Sequence, residues 1–161
     1  MFHPSRPHLF VATERQVRVY DLQRQALLKT FQPGVAAISC MDVHPSGDHF
    51  LVGSFDGRVC WFDGDLSLRP YRTLSFHRKA VRCVSYHPTL PLFATVSDDG
   101  LIHIFHGQVF HDSLENALIV PVKILRGHAQ QGSLGVLGCS FHPHLPWLVT
   151  SGADHTLKLW T

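Results

Sequence analysis

The dipeptide His-Pro occurs at His3, His44, His87 and His142, each time directly after an apolar or aromatic residue (Phe2, Val43, Tyr86, Phe141). The intervals are 41, 43 and 55 residues. Twelve residues beyond each of the last three histidines stands an aspartate (Asp56, Asp99, Asp154), and Glu14 stands eleven beyond the first. Six residues beyond each acid comes an aromatic: Tyr20, Phe62, Phe105 and Trp160. His87, Ser97 and Asp99 are the residue types of a hydrolytic triad, but four copies of one spacing describe a repeating fold, not four active sites. Ser97 has no G-x-S-x-G setting, and no glycine-rich loop precedes a helix. No catalytic residue is assigned, and the chain reads as a non-enzyme.

Each unit reads in one order. An alternating run ends at His-Pro (ISCMDVHP, VRCVSYHP, VLGCSFHP), a second run follows (HFLVGS, LFATVS, WLVTS), and then an acidic turn. A third run closes the unit (GRVCWFD, GLIHIFH, HTLKLWT), and a fourth, such as PYRTLSF or VPVKILRG, leads to the next. Period-two alternation makes these strands. Proline after histidine cannot donate to a ladder and belongs at a strand end. Asp56-Gly57 and Asp99-Gly100 suit a two-residue hairpin turn. Four strands in about 42 residues is the pattern of a propeller blade. The expected units are residues 1–31, 32–76, 77–127 and 128–161, together an all-β, partial β-propeller of about three and a half blades.

Units with Gly-His early, a turn aspartate and a closing aromatic resemble WD repeats, and the fourth is the fullest: Gly127-His128, Asp154, Trp160. The resemblance implies a structural hydrogen-bond network of His128, Asp154, Trp160 and a strand hydroxyl, placed at Ser151. His77 with Asp99, and Asp56 in the second unit, are its counterparts. Phe62, Phe105 and Tyr20 replace the Trp and remove the indole donor, and the second unit has no matching His. Those blades are expected to rely more on packing.

The stretch from Tyr71 to Gly100, the insertion HGQVFHDSLENALIVPVKILRGH, and the closing LGVLGCSFHPHLPWLVTSGADHTLKLWT together resemble the C-terminal end of the block-of-proliferation family, along essentially the whole chain. Its members are nucleolar ribosome-biogenesis proteins with a seven-bladed propeller. The resemblance implies a piece of a longer protein, acting as a scaffold in large-subunit biogenesis and pre-rRNA processing. It implies assembly with a pescadillo-like protein and a second WD-repeat protein on pre-ribosomal particles, in nucleus, nucleolus and nucleoplasm. A generic WD-repeat adaptor in another pathway is the alternative, and the specific insertion is what separates the two.

Glu occurs twice and Lys four times against many Val, Ile, Thr and aromatic residues, a composition that leans to strands. A formal charge of +2 says little about partners. No window approaches the roughly 20 apolar residues of a membrane span, and MFHPSRPHLF lacks the order of a signal peptide. Cys40, Cys60, Cys83 and Cys139 show no C-x-x-C pairing and read as reduced, buried thiols. No small-molecule substrate, cofactor or metal is implied. His103 and His106 fall on opposite faces of a strand, with His111 beyond them, and His142 and His144 lack a third ligand.

Arg69, Arg72, Arg78, Lys79 and Arg82 fall within fourteen acid-free residues, interleaved with Tyr71 and Phe76. Cations beside aromatics can hold RNA phosphates and stack on bases, so this run is the expected RNA or partner contact. The alternative is a solvated blade edge. In the insertion, DSLEN is expected to form one helical turn capped by Asp112 or Ser113, projecting from one face where partners bind.

Overall fold

The computed structural model describes residues 1–108 and 118–161. The expected Asp112 or Ser113 cap, and His111, lie outside the described residues. Fourteen strands are described: β1 (His8–Ala12), β2 (Val17–Asp21), β3 (Ala26–Phe31), β4 (Ile38–Val43), β5 (His49–Ser54), β6 (Val59–Asp63) and β7 (Arg72–Leu74). They continue with β8 (Val81–Tyr86), β9 (Leu92–Ser97), β10 (Leu101–Gln108), β11 (Leu118–Arg126), β12 (Val136–Phe141), β13 (Leu148–Gly152) and β14 (Leu157–Trp160). They form four antiparallel meanders, β1-β2-β3, β4-β5-β6-β7, β8-β9-β10-β11 and β12-β13-β14. The first adds only a bridge from Phe2 to Leu9 on its inner side. Among the described residues there is no helix, and so none long and apolar enough to cross a membrane. The architecture is a partial β-propeller of about three and a half blades.

Alternation within each strand sends one face to the preceding blade and the other to the following one. Phe50, Val52, Cys60 and Phe62 pack with Phe10, Val17, Val19 and Phe31 of the first blade. Their neighbours Leu51, Val59 and Trp61 pack with Val84, Tyr86, Phe93 and Phe105 of the third. Ala94, Val96 and Ile102 then meet Leu148 and Trp160 of the fourth. Cross-strand aromatic pairs recur: Phe50 stacks on Phe62 at 4.7 Å and Phe93 on Phe105 at 4.8 Å between ring centres. Such pairs contribute about 0.5–1.5 kcal/mol beyond area burial.

The His-Pro histidines have a local job. His3 Nδ1 accepts the amides of Ser5 and Arg6, His87 Nδ1 those of Thr89 and Leu90, and His142 Nδ1 those of His144 and Leu145. An imidazole here closes the turn that proline begins, satisfying amides that have no ladder partner. His87 does more. With Nδ1 accepting, Nε2 carries the proton and donates to the Leu145 carbonyl of the next blade at 2.9 Å.

The acidic hairpins differ from the expected two-residue type. The Ser54 amide donates to Arg58 O, and the Gly57 amide to Ser54 O. The loop therefore has three residues, Phe55, Asp56 and Gly57, with a left-handed conformation only at the last (φ +83°). Gly100 repeats it at φ +79°. In the fourth blade the same place is held by His155 at φ +61°, a side chain in a region that favours glycine.

Candidate functional site

The three-residue loop decides which residues share the face of the blade network. In the fourth blade, pairing runs Leu148 to Trp160 and Thr150 to Lys158, so Thr150 and Trp160 lie on one face and Ser151 on the other. The strand hydroxyl is therefore Thr150, correcting the expectation of Ser151. Trp160 Nε1–H donates to Thr150 Oγ1 at 2.9 Å, the hydroxyl donates to His128 Nε2 at 2.8 Å, and Nδ1–H donates to Asp154 Oδ1 at 3.0 Å. Asp154 also accepts the Ala129 amide and the Thr156 hydroxyl. Burial alone would raise its pKa, but these donors hold the carboxylate well below the usual range.

The third blade repeats the network without its indole. His77 Nδ1–H donates to Asp99 Oδ2 at 3.0 Å, and Thr95 Oγ1–H donates to His77 Nε2 at 2.9 Å. Burial pushes against ionised Asp99, yet His77 and the amides of Arg78 and Leu101 bring its pKa down to about 2. Phe105 stands where Trp160 would. In the second blade the buried apolar Val35, Val52 and Phe62 replace the His, Thr and Trp of the polar centre. Asp56 there accepts the Ala36 amide at 3.3 Å and pairs with Arg58. These contacts tie each inter-blade loop to its own hairpin.

The basic run does not form one surface. Arg82 is committed: its guanidinium pairs with Asp98 Oδ2 at 2.6 Å and lies over Phe55, and Asp98 Oδ1 accepts the Gly135 amide. It bridges three blades. Arg72 donates to the Ile119 carbonyl at 3.3 Å. Arg69 borders a depression with Pro33 and Thr73, while Arg78 and Lys79 border another with Phe76, His103 and Arg126. Contiguity in sequence concealed this, because strand β7 and the turn before β8 send neighbours to different sides. The cation that the run missed is Arg126, which the β10–β11 hairpin brings beside Arg78.

The histidine candidates for a metal take other places. His103 is buried between Phe76, His77 and Phe105. His106 pairs with Leu92 and Val120 further along β10. The four cysteines are free thiols, with Cys60 buried and the others partly so.

Comparison with known proteins agrees with this geometry. The model of the WD domain, G-beta repeat family matches residues 25–63, 68–106 and 119–161. Over 99% of its length the chain is 64% identical to the ribosome biogenesis protein ERB1 of Malassezia globosa. It is 58% identical to erb1 of Botryotinia fuckeliana and 55% to the ribosome biogenesis protein BOP1 homolog of Dictyostelium discoideum, again over 99% of this chain. The chain spans about a fifth of the length of these relatives, 18%, 21% and 19% respectively. The resemblance read from the sequence thus holds along the whole chain: it is similar over 99% of its length to proteins named ERB1 and BOP1 homolog, and it belongs to the WD domain, G-beta repeat family.

Proposed function

We propose that the chain is a non-enzymatic scaffold in large ribosomal subunit biogenesis, supporting pre-rRNA processing as part of a complex with a pescadillo-like protein and a second WD-repeat protein. Nucleus, nucleolus and nucleoplasm are its places of action. The observation that carries this reading is identity of 52–64% over 99% of the chain to proteins named for ribosome biogenesis. Rigid blades support it physically: buried networks and inter-blade ties hold the surface loops still, so binding loses little conformational entropy. Catalysis has no support in the network, whose hydrogen-bonding atoms are occupied by their structural partners.

Work on pre-rRNA is ascribed to assembly rather than to an RNA track along residues 69–82, because a track needs cations lined up along one groove. The test is depletion of the protein in its own cell, with precursor and mature rRNA followed on gels. Accumulation of large-subunit precursors while small-subunit processing continues is the expected result, restored by the intact protein. Unchanged large-subunit processing on depletion contradicts the reading.

A further inference from the structure

The depression beside the β10–β11 hairpin has a composition that neither the blade network nor the fold requires. It encloses about 580 Å³, with Phe76 and Ile124 as apolar walls and Arg78, Lys79 and Arg126 around them. Arg78 and Arg126 have no ion-pair partner among the described residues, and Lys79 reaches the neutral Gln130 side chain at 3.3 Å. Asp99 also lies on the wall, but its oxygens accept His77, the Arg78 amide and the Leu101 amide. Asp99 stays ionised, but three cations (Arg78, Lys79 and Arg126) stand against this one carboxylate, whose oxygens are turned to those donors, so the site is net cationic.

A second observation points to a ligand. His103 lines the depression and is only 4% exposed, and its Nε2 is buried with no hydrogen-bond partner. An unpaired buried polar atom costs on the order of 1–3 kcal/mol. The corresponding strand positions show the contrast: Cys60 meets the Pro33 carbonyl and Thr73 hydroxyl, and Lys158 is partly exposed. An oxygen entering the depression that His103 lines together with Arg78 and Arg126 would give this atom an acceptor.

We propose that this depression binds an acidic side chain presented by a peptide segment of a partner protein. The carboxylate sits between the Arg78 and Arg126 guanidinium groups, its methylene stem lies against Phe76 and Ile124, and the Nε2–H tautomer of His103 donates to one oxygen. A peptide fits better than RNA, because the cations converge on one depression with an aliphatic wall instead of following a groove. The charge-assisted contacts account for affinity, and the apolar wall selects a carboxylate carried on a stem.

The test is fluorescence anisotropy of the 161-residue chain with a fluorescein-labelled peptide of alternating Glu and Leu, a Gln-for-Glu version of it, and a single-stranded RNA oligonucleotide. The Glu peptide is expected to bind, the Gln version not, and the Glu affinity to fall about tenfold or more in Arg78→Gln/Arg126→Gln. Arg69→Gln, at a separate depression, is expected to leave it unchanged. Both exposed arginines can be replaced without altering the thermal midpoint, which is measured alongside. His103→Phe, compared at matched folded fraction, is expected to lower affinity severalfold. Equal affinity in parent and double variant overturns the proposal. So does RNA binding that is tighter than the peptide's and lost in the same double variant, or failure of the Glu peptide to bind.

Discussion

The indole Nε1–H of Trp61, on the outer part of the second blade, donates to the buried hydroxyl of Tyr86 on the third at 2.6 Å. Both side chains sit in one apolar cluster with Leu51, Phe93 and Phe105. A polar contact in such surroundings fixes the angle between two blades, because neither group finds water if the blades slide. Burial drives the Tyr86 hydroxyl pKa well up, so it stays protonated at all ordinary pH. Tyr86→Phe leaves the indole donor unsatisfied and is expected to cost about 1–3 kcal/mol. The double variant with Trp61→Phe is expected to lose less than the sum of the two single changes. Urea denaturation of the four proteins checks this, and strict additivity removes the tie from the account.

Thr150 and Ser151 give a sharper comparison because they are neighbours. Thr150→Val keeps the shape but strands both the Trp160 indole and His128 Nε2, with an expected loss of about 2–4 kcal/mol for two buried groups left unpaired. Ser151→Ala, on the opposite face, is expected to stay within about 0.5 kcal/mol. A denaturation midpoint that falls equally for both changes contradicts the network as drawn.

Stability is expected to fall with pH in two steps of the same sign but different origin. Burial lowers the pKa values of His44 and His103 to about 4 from the usual 6.5. The unfolded chain therefore takes up protons first, and stability falls as pH drops from 6.5 towards 4. Asp56 and Asp99 have folded values near 2, below their unfolded 3.8, so their contribution is present above 3.8 and disappears as pH falls towards 2. His103→Phe is expected to shrink the upper step to the share that His44 contributes and to leave the lower one. Denaturation midpoints measured from pH 7 to pH 2 check both steps, and an upper step undiminished by His103→Phe contradicts the assignment.

His155 carries a positive φ where Gly57 and Gly100 stand in the earlier hairpins. His155→Gly is expected to stabilise the fourth blade by about 1 kcal/mol, the usual cost of a side chain in the left-handed region. A thermal midpoint that drops instead means the His155 side chain contributes packing that the backbone argument omits.

Blade order was legible because alternation and the His-Pro interval are properties of single strands. The strand hydroxyl was harder. Its position depends on the length of the hairpin loop, and adding one residue to the loop moves the partner face from Ser151 to Thr150. A cue was present all the same: Thr95 and Thr150 stand four residues before Asp99 and Asp154, with Val52 four before Asp56. The fate of the basic run was not legible. Asp98 reaches Arg82 across sixteen residues, and Arg126 reaches the depression beside Arg78 through a hairpin, so both depend on how strands pair rather than on local composition.

The measurement that bears most directly on the scaffold account is affinity capture of the tagged protein from a nuclear extract, with the captured RNA and proteins identified. The account predicts large-subunit rRNA precursors together with a pescadillo-like protein and a second WD-repeat protein, all lost when Thr150→Val and Tyr86→Phe loosen the blades. Capture that contains neither precursor rRNA nor those two proteins, from a sample whose blades remain folded, contradicts it.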